Sequence, residues 1–361
     1  MNSAVGYQPS VLDDLAALHQ LDSAGMLGHV AALPQQCRGA WALTQDLSLP
    51  VHYRQVDKVV IAGMGGSAIG GDLVAEVLAG TCPWPIVVHR DYGLPAWADD
   101  QTLLIASSYS GNTEETISAF QAAHERNCPL VAVAYGGKLA ELAHEWKVPF
   151  VSFDYRAMPR AALGYLFVSL LGIFRALGVT GDLEADLKEA LAVLDAQGAE
   201  LAPTVPQAQN PAKQLAVELA GCMPVIVAAG PLVPVARRWK GQCNENAKSW
   251  AAFEPLPEMN HNTVSGTHFP PGMAEKVRIL FLEGEGLHPR IQLRMELTRQ
   301  VFQDMGIACR QVSIPGQSKL AQVLSAVQLG DYVSCYLAAL YHTDPTPIED
   351  IVGLKQRMSE R

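Results

Sequence analysis

The chain has 361 residues, 49% of them apolar, and a formal charge of −10 at neutral pH. One hydrophobic core seldom grows to that length, so two α/β-sized domains are expected. The acidic balance excludes a nucleic-acid surface, which needs a concentrated basic face, and no basic run is present.

In chain order, residues 9–20 carry Val11, Leu12, Leu15 and Leu18 at helical spacing, with Asp13 and Asp14 in the first turn. The first residues, Met1-Asn2-Ser3-Ala4-Val5-Gly6, lack the basic start and apolar stretch of a secretory signal. Charges break every apolar run short of the roughly 18 residues of a membrane span. Seven scattered cysteines show neither C-x-x-C pairing nor zinc spacing. A cytoplasmic protein with reduced thiols, no membrane partner and no metal is expected.

Val59-Val60-Ile61-Ala62-Gly63 is a continuous run ending in glycine, followed by a helical stretch to Leu78. Such a run predicts a buried parallel strand, a tight turn and a helix. The unit recurs as strands at 86–88 and 102–106, a helix over 113–126 and a strand at 130–133. Long helices are expected over 160–178 and 183–201, and Pro203-Thr204-Val205-Pro206 reads as a linker. A second copy starts with the strand 224–230 and continues with strands at 277–282 and 309–314 and a helix over 288–305. Phe253-Glu254-Pro255-Leu256-Pro257-Glu258 reads as a proline-broken segment swinging away from the preceding helix. After a Pro-rich turn, the tail 345–361 ends in a helix bearing Ile348, Ile351, Val352, Leu354 and Met358. The fold class is α/β: two doubly wound parallel-sheet subdomains of flavodoxin-like layering, bridging helices and a C-terminal helix. The expected divisions are 1–157, 158–202, 203–342 and 343–361.

Two strings carry chemistry. Gly63-Met64-Gly65-Gly66-Ser67-Ala68 directly follows a strand and opens a helix, where unpaired N–H groups and the positive dipole end suit an anion. It lacks the placed acidic partner of a dinucleotide fingerprint and the Gly-Lys-Ser/Thr of a P-loop. Ser107-Ser108-Tyr109-Ser110-Gly111-Asn112-Thr113 repeats the context, and Gly66, Ser67, Ser108, Ser110 and Thr113 are the expected phosphate contacts. Either string alone could be a glycine turn or a helix cap. Two at successive strand ends point to a ligand, because ligands gather at the carboxyl ends of parallel strands.

These two strings resemble the sugar isomerase (SIS) domain. Pro159-Arg160-Ala161-Ala162-Leu163-Gly164-Tyr165, Asn244-Glu245-Asn246-Ala247-Lys248 and Met259-Asn260-His261-Asn262 resemble the bifunctional phosphoglucose/phosphomannose isomerases. The resemblance implies interconversion of glucose 6-phosphate, and of mannose 6-phosphate, with fructose 6-phosphate through a cis-enediol, without a cofactor. It implies Glu245 as the base, its flanking amides orienting the carboxylate and burial raising its proton affinity. It implies Arg160 facing the enediolate, Lys355 opening the sugar ring, and His261 assisting from the partner subunit of a homodimer. By themselves, Glu245 reads as a cap or surface carboxylate, His261 as structural, Lys355 as solvated, and Arg160 as the start of a helix. The sequence departs from the family pattern at Thr263, where an acidic residue commonly follows His-Asn. His268, Trp239 and Trp250 read as structural or packing residues. A sugar-phosphate sensor without catalysis and an aminosugar-phosphate isomerase are the alternatives.

Overall fold

The computed structural model describes residues 8–360; the amino-terminal residues on which the signal reading rests lie outside the described residues. The described chain falls into two compact units, one of residues 32–192 with 318–323, the other of residues 8–31, 193–317 and 324–360. They are termed the first and second unit below.

The expected amino-terminal helix is divided into a 3₁₀ turn (Pro9–Asp13) and the helix α1 (Leu15–Leu21). Asp14 causes the break: extended at φ −90°, it caps α1 by accepting the N–H groups of Ala16 and Ala17, both at 3.0 Å. Helices α2 (Met26–Ala31) and α3 (Leu33–Leu43) follow.

The first unit is built on β1 (Lys58–Ala62), α4 (Gly65–Leu78), β2 (Ile86–His89), β3 (Thr102–Ser108), α5 (Glu114–Glu125), β4 (Leu130–Ala134), α6 (Gly137–Glu145) and β5 (Phe150–Ser152). Its sheet runs β2-β1-β3-β4-β5, every neighbouring pair parallel. All of β3 and β4 is buried, which is why β4 and the middle of β3, Leu103 to Ala106, are continuous apolar runs rather than alternating ones; Thr102, Ser107 and Ser108 are the buried polar residues at the ends of β3. A 3₁₀ turn (Pro159–Ala161) leads into α7 (Leu163–Leu177), followed by α8 (Leu183–Leu201).

The second unit contains α9 (Pro211–Leu219), β6 (Met223–Ala229), α10 (Val233–Glu245), β7 (Ala252–Leu256), α11 (Met273–Lys276), β8 (Val277–Glu283), α12 (Pro289–Asp304) and β9 (Ala308–Ser313). Its parallel sheet is ordered β7-β6-β8-β9. The segment around Pro255, expected to be irregular, is the strand β7. Pro255 lies opposite Ala228 of β6, and β7 is an edge strand paired on one side only, the place in a sheet where proline is tolerated. The helix α13 (Lys319–Leu340) has no counterpart among the expected elements. It is long and apolar enough to cross a membrane by composition, yet its whole apolar window is buried inside the protein. Buried on every side, it has no polar face to show a helical period. The chain ends in α14 (Glu349–Ser359).

Candidate active site

In the first unit the two glycine-serine turns lie side by side at the carboxyl ends of β1 and β3. A Cβ on Gly63 would come within 2.8 Å of the Ser107 carbonyl oxygen, so the chain can pass there only as glycine. Gly65, at φ +52°, turns the backbone into α4. The Ser67 hydroxyl accepts the Tyr109 N–H at 3.2 Å and so ties one turn to the other. Within the second turn, the Ser108 and Thr113 hydroxyls are 2.9 Å apart, and Gly111 donates its N–H to Ser108 Oγ at 3.1 Å. Asn112 N–H reaches Ser110 Oγ at 3.2 Å, and Asn112 Oδ1 accepts the Lys138 N–H at 3.0 Å. Gly111 sits at φ +71°, and a Cβ there would overlap the Gly136 carbonyl oxygen. The geometry thus gathers Gly66, Ser67, Ser108, Ser110 and Thr113 around the leading ends of α4 and α5, whose first N–H groups have no intrahelical partner.

Arg160 is in the same neighbourhood. Its 3₁₀ turn packs against α4: a Cβ on Gly66 would lie 3.2 Å from Pro159 O and 3.5 Å from Arg160 Cα. The side chain is only 3% exposed. Tyr109 links the cradle to this segment, donating its hydroxyl to Tyr155 O at 2.7 Å and accepting the Ala157 N–H at 2.8 Å. Gln36 pins the far side, donating to Ala161 O at 2.8 Å and accepting the Gly164 N–H at 3.1 Å. Tyr109 belongs to the second of the two strings, but nothing in the sequence marks it as the brace.

In the second unit Glu245 is the last residue of α10 and is partly buried. It lines a cavity of about 530 Å³ together with Lys248, Asp344, Glu349 and Ile351. The flanking amides brace the turn, Asn244 donating to Ser249 O at 2.7 Å and the buried Asn246 to Ser334 Oγ at 2.9 Å. Lys355 is exposed on α14, one turn beyond Ile351 and therefore on the same helix face as that cavity-lining residue. His261, itself exposed, ends a 3₁₀ turn (Glu258–His261) after β7 and does not line the cavity. At the departure from the family pattern, the Thr263 hydroxyl and N–H both donate to Asn262 Oδ1, at 2.9 and 2.6 Å. Of the two tryptophans, Trp239 is a packing residue whose indole N–H donates to Ala326 O at 2.8 Å. Trp250 is instead 80% exposed, beside a smaller depression shared with Lys240 and Asn244. Among the described residues no group of three or more His, Cys, Asp or Glu could hold a metal ion.

One parallel α/β unit with glycine and serine turns over helix N-termini, and a second parallel α/β unit in the same chain, are the features of an SIS-domain protein. A solved hypothetical protein from Thermus thermophilus has the same fold, with a TM-score of 0.76 at 15% identity, covering 99% of this chain and 96% of that one. Residues 208–358 match the family model of the bacterial phospho-glucose isomerase C-terminal SIS domain. The bifunctional phosphoglucose/phosphomannose isomerase of Caldicellulosiruptor bescii is 40% identical, over 93% of this chain and 99% of that protein. That of Aquifex aeolicus is 35% identical, over 84% and 90%. The chain belongs to the bifunctional phosphoglucose/phosphomannose isomerase family.

Proposed function

We propose that the protein is an aldose–ketose isomerase that interconverts glucose 6-phosphate and mannose 6-phosphate with fructose 6-phosphate. The observation that carries this reading is the 40% identity spanning 99% of a bifunctional isomerase, in a chain that holds both a hydroxyl-lined cradle and a cavity-lining carboxylate. A sensor needs the first and has no use for the second.

The reaction moves a proton between carbon 1 and carbon 2 through a cis-enediol. Glu245 is the base that takes the proton from one carbon and returns it to the other, so no net redox change occurs and no cofactor is called for. Arg160 stabilises the enediolate charge. Gly66, Ser67, Ser108, Ser110 and Thr113 hold the phosphate, and anchoring that remote group converts binding energy into positioning of the reacting carbons. Lys355 opens the ring with His261. The protein works as a homodimer in which His261 serves the partner's site; its exposure and its absence from the Glu245 cavity support this. Free cysteines at all seven positions fit a cytoplasmic location.

A coupled assay on glucose 6-phosphate, mannose 6-phosphate and glucosamine 6-phosphate tests the function. Glu245→Gln should lower kcat about 10³-fold, within the range general-base loss produces, while binding of a phosphorylated sugar acid persists. Turnover by that variant near the parent rate sinks the base assignment. Mixing inactive Glu245→Gln with inactive His261→Ala chains should restore part of the activity. No recovery despite demonstrated subunit exchange removes the shared site.

A further inference from the structure

Lys248 directs one ammonium group at four backbone carbonyls from two segments of the second unit. It donates to Glu245 O at 2.9 Å and Asn246 O at 3.3 Å, the open carbonyl end of α10. It also donates to Asp344 O at 2.8 Å and Pro345 O at 3.3 Å, in the stretch that leads into α14. A cation is favoured at a helix C-terminus, where the last carbonyls have no intrahelical partner. The backbone at Lys248 is left-handed, φ +53°, a conformation that ordinary residues avoid. The chain doubles back there, and the ammonium lies over the carbonyl of Glu245 itself.

Both anchored segments belong to the cavity wall. Glu245 and Lys248 line it from the end of α10, and Asp344, Glu349 and Ile351 from the stretch that leads into α14 and its first turn. Asp344 is further held by Ser23, whose hydroxyl donates to Oδ2 at 2.6 Å, and its Oδ1 accepts the Thr346 N–H at 2.8 Å. Fixing residues 344–345 therefore fixes the entry of α14, and with it the helix that carries Lys355.

We infer that Lys248 is a positioning residue for isomerisation: its ammonium locks the end of the base-bearing helix α10 to the start of α14, setting Lys355 in register with Glu245. This deepens the isomerase reading and rests on it. Lys248 touches no reacting atom; it acts through Lys355.

The test compares the parent with Lys248→Met, Lys355→Met and the double variant, in the full chain. Lys248→Met should lower kcat about tenfold with KM changed less than about twofold, because phosphate anchoring is untouched. If Lys248 works through Lys355, the double variant is no slower than Lys355→Met alone. Multiplying losses would show a general structural role and overturn the inference. Amide hydrogen exchange across residues 343–352 should also quicken about tenfold in Lys248→Met, while the strand at 59–62 keeps its protection. Should the parent turn over no hexose phosphate, the isomerase reading fails on its own. The exchange measurement then decides the clamp, and unchanged exchange at 343–352 overturns it.

Discussion

The two loops that follow the second-laid central strand of each sheet have the same length and opposite chemistry. After β3 the chain runs through 109–113 to α5, and after β8 through 284–288 to α12. Ser108 corresponds to Glu283, Gly111 to Gly286, and Thr113 to His288. In the first loop the side chains are hydroxyls bonded to one another and to the backbone. In the second, the Glu283 carboxylate takes the position of Ser108, pairing with Arg299 at 3.0 Å and accepting from Gln311 Nε2 at 2.6 Å. His288 caps α12 by accepting the Arg290 N–H at 3.1 Å, whereas Thr113 leaves that cap unmade and faces Ser108. The two strand ends thus present different side chains, a hydroxyl at Ser108 and an ion-paired carboxylate at Glu283. A cavity of about 420 Å³ lies beside Glu283, walled by Glu283, Glu296 and the Arg299 that pairs with Glu283.

The glycines at matching positions give the largest expected break in that symmetry. Gly111 and Gly286 are both left-handed, at φ +71° and +77°. A Cβ on Gly111 would overlap the Gly136 carbonyl, whereas one on Gly286 meets nothing within 4 Å. Gly111→Ala must therefore displace backbone in the cradle as well as strain its own φ. A shift of that size in a positioning loop should cost about 10²-fold in kcat/KM for sugar phosphates. Gly286→Ala carries only the local strain of about 1 kcal/mol, seen as a lower melting temperature, with kinetics within about twofold. Equal kinetic losses in the two variants would mean that the second loop also contacts substrate.

The same contrast explains what is legible in the sequence. The strands β1, β3, β4 and β6 can be read because each has a continuous apolar stretch buried in the sheet, and glycine marks where β1 and β6 stop. Both turns of the cradle are legible for that reason. β7 is not: Pro255 reads as a breaker unless the strand is known to lie at an edge. Nor is α13, whose complete burial erases the amphipathic period. Asp14 as a cap and Lys248 as a clamp depend on the local φ angles, which composition does not report. The cavity beside Glu245 brings together residues about a hundred positions apart, Lys248 and Asp344 among them, and local patterning carries no signal for such a meeting.

Glu283 gives the smallest effect and the sharpest sign. Burial raises its pKa above the ordinary 4.5, and the charge and hydrogen bonds of Arg299, with Gln311, pull the other way without winning. Below 4.5 the carboxyl is protonated in both folded and unfolded chains, so the shift contributes nothing to stability there. Between 4.5 and the raised value the folded state keeps a proton that the unfolded state has released, and stability falls as the pH rises; above that window the loss is complete and constant. Glu283→Gln removes the titration while keeping the shape. The parent should therefore lose ground to the variant between pH 4 and pH 7, measured as the difference in their melting temperatures, and both should show the same kcat/KM at pH 7. A parent that gains on the variant over that range would mean the Arg299 pair outweighs burial. A variant with altered KM would mean that Glu283 does share in holding the substrate, and the two loops would be less different than their chemistry says.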